Sequence, residues 1–446
     1  MSLSTQLVES LLAQRSVGLD ATVRHKTVMH ILDNVGISIA GREKSPIAPQ
    51  VRAAFGSQSD LQPASYAFAA SAYGHMLDFD DVHDLARVHP TTVTLPAALA
   101  VAPMSGASGS DLIDAITLSN EMLCRLGLIW SPLGIGPGSD WFLTQLLGYF
   151  GAALAAGMVL RLDAAQLRSA LGLAYMQAAG GKEAGVGAGG TARAIYPAFA
   201  AMGGVQAALL ARCGVEGPPT ALDGDAGFFR LYFGRHLDPA QTIRLLNTGA
   251  SDWKDTHIKP WPSCRHSHPY VFAAQGLRPG LDLTTVERVQ VTVNRSAAKL
   301  CLPIEQRRRP ASLQDAKYSI PFMVAFSLVH GEVNLETLND AALEDHRVLQ
   351  MAQRVVIEAS GSDEPGLPHA RITLYTSNPQ TKELTFDQPF QPQQTDDAIR
   401  AKFHACLGYA GFSNDSSTTA WNSLCRLAQT DCGSLRNLLA IPRLSP

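Results

Sequence analysis

The sequence predicts a mainly α protein, with a large all-helical part followed by a smaller α+β part. Three observations carry this. Up to about residue 285, apolar residues recur at helical spacing or fill alanine-rich runs, and no stretch alternates convincingly as a strand does. From Gly280 the texture changes, and Val289, Val291 and Val293 alternate with polar residues. The chain has 446 residues and is 46% hydrophobic, enough for a large core spread over two or three domains.

Taken in order, residues 5–40 read as two helices, with Leu7, Val8, Leu11 and Leu12 and then Val28, Ile31, Leu32 and Val35 as the apolar positions and Gly41 as the stop. A short helix is expected within 45–59 and an alanine-rich helix over 64–76. Another follows His89-Pro90 over 92–102, with Pro96 at a kink or in the first turn. Ser110 reads as the N-cap of a helix whose apolar face is broken by Ser119 and Asn120. After the Gly/Pro-rich segment 131–140 come a buried helix over 142–160, a helix capped by Asp163, a glycine-rich loop over 180–190 and an uncharged helix over 194–211. The α+β part reads as strands near 289–293, 355–357, 370–376 and 383–386, with helices at 312–331 and 339–353 between the first two. Helices return at 396–408 and 415–428, and the pattern leaves open which part they join.

Bulk properties exclude some functions. A net charge of −3 gives no support for a nucleic-acid binder or a membrane-surface protein. The longest apolar runs, 146–160 and 194–211, are too short or too punctuated with Ala and Gly to span a bilayer. The N-terminus lacks a basic segment followed by an apolar one, so no signal peptide is expected. Seven scattered cysteines without a CxxC read as reduced thiols, which points to a cytoplasmic protein.

Two polar stretches stand out. His75 to Pro90 packs four carboxylates, three histidines and an arginine into sixteen residues between two apolar segments. It is either a solvated loop or a site, and composition alone favours the loop. His257 to His268 holds Lys259, Arg265 and three histidines with no acid, stiffened by Pro260 and Pro262. It is either a linker or a cradle for a carboxylate, for which arginine offers a bidentate fork and lysine a point charge. Gly185 to Gly190 satisfies GxGxxG, but the preceding segment looks helical rather than extended, so no dinucleotide cofactor is expected. The spacing of His266 and His268, and of Asp80, Asp81 and His83, matches no zinc signature, so no metal is expected. Cys264 has no marked partner base and reads as an inert thiol, and Arg307-Arg308-Arg309 as a solvated charge run.

Several motifs resemble one family. Asp78-Phe79-Asp80-Asp81 with His89-Pro90-Thr91 is similar to the DFDD…HPS signature of the MmgE/PrpD family. Phe150-Gly151-Ala152-Ala153 with Leu162-Asp163 and Ala170 to Ala174 resembles a second block. Lys259-Pro260-Trp261-Pro262-Ser263-Cys264-Arg265 resembles its K-P-Y-P-x-C-R motif, and Asp315 to Pro321 its D-A-K-F-S-L-P motif. The resemblance implies an all-helical domain over 1–265, completed by 396–446, an α+β lid domain over 266–395, a site between them and a homodimer. It also implies a cofactor-independent enzyme acting on a small di- or tricarboxylate, as 2-methylcitrate dehydratases, cis-aconitate decarboxylases and iminodisuccinate epimerases do.

Carried over residue by residue, the resemblance makes His89 a proton carrier and Asp78 an orienting or substrate-binding group. Lys259 becomes a carboxylate binder or base, with Arg265 and His266 lining the same pocket and His75 counted among the substrate-binding groups. The departures concern the reaction. Val82 stands where dehydratases and decarboxylases usually carry threonine, Phe142 where they carry histidine, and Arg193 where they carry lysine. Losing a hydroxyl and a titratable imidazole weakens dehydration and decarboxylation, whereas epimerisation needs only a base and an acid on opposite faces. The expectation is therefore an epimerase of an acidic amino or imino dicarboxylate such as iminodisuccinate. His89, Lys259, His266 and Tyr149 are candidates for the acid–base pair, and Arg193 would clamp a carboxylate. A dehydratase, a decarboxylase and a non-catalytic tricarboxylate binder are the alternatives.

Overall fold

The computed structural model describes residues 1–56, 61–130, 140–185, 191–247, 251–361, 366–380, 382–391 and 394–430. They form two compact units, Met1–Ile258 with Gln394–Pro446, and Lys259–Gln393. Among the described residues no helix is long and apolar enough to cross a membrane.

The first unit opens with α1 (Leu3–Val17), whose Ser2 cap accepts the Thr5 N–H. α2 (Ala21–Lys44) is capped by Asp20, and every residue from Met29 to Gly41 is buried. A helix enclosed on all sides must find partners for its polar residues, and His30, Asp33, Asn34 and Ser38 lie in that span. α3 (Ala48–Phe55) and α4 (Pro63–His75) follow. Gly41 does not stop α2. A Cβ there would stand 2.2 Å from the Tyr73 carbonyl oxygen, so the glycine lets α2 and α4 touch backbone to backbone.

Strand β1 (Val82–His83) pairs antiparallel with β2 (Thr256–His257). Two residues have no period to read, which is why the sequence shows no strand in this region. α5 (Thr91–Val101) carries Pro96 in its interior. α6 (Gly109–Trp130) is capped by Ser108 rather than Ser110. The Ser108 hydroxyl accepts the Asp111 N–H at 3.1 Å, and the Asp111 carboxylate accepts the Ser108 N–H at 3.0 Å. Ser110 instead accepts a hydrogen bond from Arg24 at 2.8 Å. α7 (Leu143–Val159), α8 (Ala164–Tyr175, with a capping box of Asp163 and Gln166) and α9 (Tyr196–Arg212) complete the centre. α10 (Phe228–Phe233) and α11 (Pro239–Leu246) flank it.

The second unit begins with α12 (His268–Leu277) and β3 (Val286–Val293). α13 (Arg295–Ala298), α14 (Ile304–Arg308), α15 (Leu313–Lys317), α16 (Ile320–His330) and α17 (His346–Gln353) form the crossover to β4 (Val355–Ala359), which is parallel to β3. β5 (Arg371–Thr376) and β6 (Glu383–Phe386) add antiparallel strands, giving the order β4-β3-β5-β6. Val289, Val291 and Val293 face the core with Phe322, Phe326 and Ile372. The junction falls after Ile258 rather than after 265. The Trp261 ring lies 5.6 Å from the tilted Phe390 ring, and the Cys264 N–H donates to the Lys317 carbonyl at 3.0 Å, so 259–265 pack with the second unit.

α18 (Asp396–Tyr409) and α19 (Asn414–Cys425) return to the first unit. Phe403 of α18 packs against Gly36 of α2, where an added Cβ would be 3.0 Å from its ring.

Candidate active site

The acidic loop is buried, not solvated: Asp78, Asp80, Asp81 and His83 are all at most 3% exposed. It starts where α4 ends. The Asp78 N–H donates to the His75 carbonyl at 2.8 Å, and Asp78 takes a left-handed φ of 56°, which aspartate tolerates better than most residues. The chain doubles back, and Asp80 Oδ2 lies 2.8 Å from His75 Nδ1 and 3.4 Å from His89 Nδ1.

The partners assign the His89 tautomer. Its Nδ1 is 2.7 Å from the Asp81 carbonyl oxygen, which can only accept, so Nδ1 carries the proton. Nε2 is then the nitrogen that carries the lone pair of the neutral ring. The His89 backbone N–H donates to Thr144 Oγ1 at 3.0 Å, which ties the loop to α7. The His89 side chain is 15% exposed, against 3% for His75 and none for Asp80, so His89 is the accessible member of the three.

A second layer holds Asp81. Its Oδ2 receives His30 Nδ1 at 2.8 Å and the Thr91 hydroxyl at 2.6 Å. Thr91 in turn accepts from Asn120, which also accepts the Thr94 hydroxyl. The polar residue that breaks the apolar face of α6 is thus part of this network. Burial holds His30 down at about 4 against the opposing pull of Asp81. His83 is structural: its Nδ1 accepts the Ala86 N–H and its Nε2 donates to the Asp252 carbonyl. Burial lowers its pKa too.

Aromatic rings form one side of the cluster. Phe142 stacks on Tyr196 with centroids 4.2 Å apart and planes at 15°. Tyr196 meets His75 edge-on at 4.9 Å and hydrogen-bonds with Thr144. Burial pushes its phenol up, Thr144 opposes this, and the charges of Asp80 and Asp78 add to the rise. The sequence reading did not single out Tyr196, because a tyrosine at a helix start looks like core. It is the fourth residue of the segment that opens with the departing Arg193, and it rests on the departing Phe142.

The structure therefore brings His75 and His89 to Asp80, with Asp78 buried two residues before it. Val82 is buried in β1. Arg193 sits in the 3₁₀ turn Thr191–Ala194, its guanidinium donating to the Gly185 carbonyl at 3.4 Å. Tyr149 is held further along α7, its hydroxyl hydrogen-bonded with Gln145 and its ring under Gly203 of α9, and burial raises its pKa. Of the glycine-rich loop, residues 186–190 lie outside the described residues, as do 131–139.

In the second unit Lys259, Arg265 and Lys317 are buried, and among the described residues no carboxylate of that unit is. The Arg265 guanidinium lies 5.1 Å from the Phe390 ring and donates to His268 Nδ1 at 3.3 Å. His268 Nε2 faces the Ser263 carbonyl at 3.3 Å, so both its nitrogens are engaged. His266, half-buried, stands in the 3₁₀ turn Arg265–Ser267.

His75, Asp80 and His89 are also the group whose donor atoms could gather a metal, all lying within 4.8 Å of one another. Ligation through the Nδ1 atoms would displace the protons that the hydrogen bonds hold there.

A family model described as the MmgE/PrpD N-terminal domain matches residues 5–240, and one described as the MmgE/PrpD C-terminal domain matches residues 261–420. Curated relatives include a cis-aconitate decarboxylase-like protein of Aspergillus oryzae, 27% identical over 76% of this chain and 75% of its own. A cis-aconitate decarboxylase of Aspergillus terreus is 28% identical over 67% of this chain and 64% of its own. The human cis-aconitate decarboxylase is 26% identical over 92% and 89%.

Proposed function

The chain belongs to the MmgE/PrpD family, and from that premise we propose that it is a lyase of a small tricarboxylate of the cis-aconitate class, with His89 as the proton carrier. The observation that supports this most is the orientation of His89, Nδ1–H held by the Asp81 carbonyl and Asp80 so that Nε2 exchanges the proton. In a decarboxylation the bond to the departing carboxyl breaks, carbon dioxide leaves, the electron pair stays on the substrate carbon, and Nε2–H supplies the proton that closes it. In a dehydration the same nitrogen takes the proton beside a carboxylate as hydroxide leaves. Asp80 stabilises the imidazolium form in either direction. Lys259 and Arg265 are the proposed carboxylate-binding cations, both buried in a unit whose described residues include no buried acid. The relatives' names support the tricarboxylate class.

The test is turnover of cis-aconitate and citrate-like acids, read as carbon dioxide release and as a change in conjugated-alkene absorbance. H89Q should lower the rate by about 10²–10⁴-fold with the fold unchanged. An H89Q enzyme as active as the parent would sink the proposal.

One observation favours a second reading, epimerisation of an acidic amino or imino dicarboxylate such as iminodisuccinate. Phe142 stands where decarboxylases and dehydratases carry histidine, and it is locked by its stack on Tyr196. That leaves one partly exposed imidazole in the cluster. Deuterium entering the α-carbon from D2O, with no carbon dioxide and no new alkene, would select this reading over the first. A homodimer in the cytoplasm is part of the proposal, and light scattering at twice the chain mass is the check on assembly.

A further inference from the structure

The acidic loop is held from the far end of the chain. Lys402, on α18, places Nζ 2.8 Å from the Phe79 carbonyl oxygen and 2.8 Å from Asp33 Oδ1 of α2. The same ammonium lies 3.8 Å from the centroid of the Phe79 ring. Its side chain is 8% exposed and that of Asp33 1%. Three contacts to one buried ammonium leave it little freedom. Two of them are to the residue between Asp78 and Asp80.

We infer that Lys402 is a positioning residue: it fixes the Phe79 carbonyl and thereby sets Asp80 where it holds both His75 and His89. The Phe79 carbonyl belongs to the peptide that leads into Asp80. Rotating that peptide swings the Asp80 carboxylate away from one imidazole or the other. Asp78, immediately before, sits at a φ of 56° that a non-glycine residue keeps only when its surroundings enforce it. A charged donor on the next carbonyl is such an enforcement. Asp33 supplies a carboxyl oxygen for the otherwise buried ammonium there. The C-terminal segment of the helical unit is therefore part of the site's geometry, although none of its described residues joins the His75–Asp80–His89 cluster.

That His89 carries a proton is the reading proposed above. The test is chosen to stand apart from it. Two variants of the full-length protein, labelled with nitrogen-15 at histidine, are compared with the parent by side-chain NMR. K402Q keeps a donor for the Phe79 carbonyl without the charge. D33N/K402M removes the donor without leaving a buried carboxylate alone. K402Q should retain the protected Nδ1–H signals of His75 and His89, and D33N/K402M should lose both, with His268 of the second unit unchanged in each. A folded D33N/K402M that keeps both signals would overturn the inference, as would a folded K402Q that loses them. The K402Q arm decides by itself if the double variant does not fold. Loss of the signals with full activity would count against His89 as the proton carrier and leave the positioning role intact.

Discussion

Asp33 and His30 lie three residues apart on α2, and burial drives them in opposite senses. Burial raises the Asp33 carboxyl to about 7, with Lys402 opposing and the Asp81 and Asp80 charges adding. His30 falls to about 4. For Asp33 the folded state holds its proton more tightly than the unfolded state. Its contribution is full below about 4 and is lost as pH rises to about 7. For His30 the folded state holds its proton less tightly, so its contribution is present above about 6.5 and is lost as pH falls to about 4. Between those limits the two slopes oppose each other. D33N should therefore unmask a stability that rises with pH between about 4 and 6.5, and H30Q one that falls. Each change should be on the order of a few kcal/mol relative to the parent. Denaturant unfolding at a series of pH values reads both, and parallel profiles for parent and variants would refute the pairing.

At the scale of elements, the helices are set by caps and by glycine contacts. Adding a methyl at Gly41 meets the Tyr73 carbonyl oxygen at 2.2 Å. G41A should cost about 1–3 kcal/mol or more and lower Tm by several degrees. Gly408 of α18 has no atom within 4 Å of its would-be Cβ. G408A should be neutral or stabilise by about 0.5–1 kcal/mol, since alanine favours a helix interior. A thermal melt of each checks the contrast, and equal losses would show that contact distance is not what separates the two glycines.

The same contrast explains what could be read in advance. Periodicity located α1, α2 and the β3 alternation because each has enough residues to show a repeat, and alanine-rich or uncharged composition located α4, α7 and α9. It missed β1 and β2, and it took Gly41 for a stop because a glycine's neighbours across the fold leave no local mark. It placed the cap of α6 at Ser110, where the reciprocal Ser108–Asp111 pair was the stronger signal. In the site, His75, Asp78 and His89 were visible as a dense polar run. Asp80's role as the shared acceptor was not, because the run holds four carboxylates and only the left-handed turn at Asp78 selects among them. Lys402 gave no signal at all, being an ordinary lysine on a helix that the pattern could assign to either part.

At the scale of the whole chain, the second unit is an insertion whose entry and exit are tied together in the first. The Gln394 side chain accepts the Ile258 N–H at 2.9 Å and donates to the Ile258 carbonyl at 3.1 Å. The two ends of the helical unit therefore meet within one side chain's reach. Replacing 259–393 by a short Gly-Ser linker should leave a helical protein with one cooperative thermal transition, read by circular dichroism. The excised 259–393 should fold on its own core of Tyr270, Val289, Phe322, Phe326 and Ile372. Loss of cooperativity in the linked helical unit would show that it needs the insert.

The Lys402 contact has a consequence for synthesis. The Phe79 carbonyl and the ammonium that holds it are 323 residues apart in sequence. At about 5–20 residues per second, a ribosome takes roughly a quarter of a minute to a minute to cover that distance. Throughout that time the nascent chain carries Asp33 without its lysine partner and the acidic loop without its anchor, while the inserted unit emerges complete. A newborn chain would thus finish its second domain before its first, and arrest shortly before α18 would leave a helical bundle assembled around an unformed acidic loop.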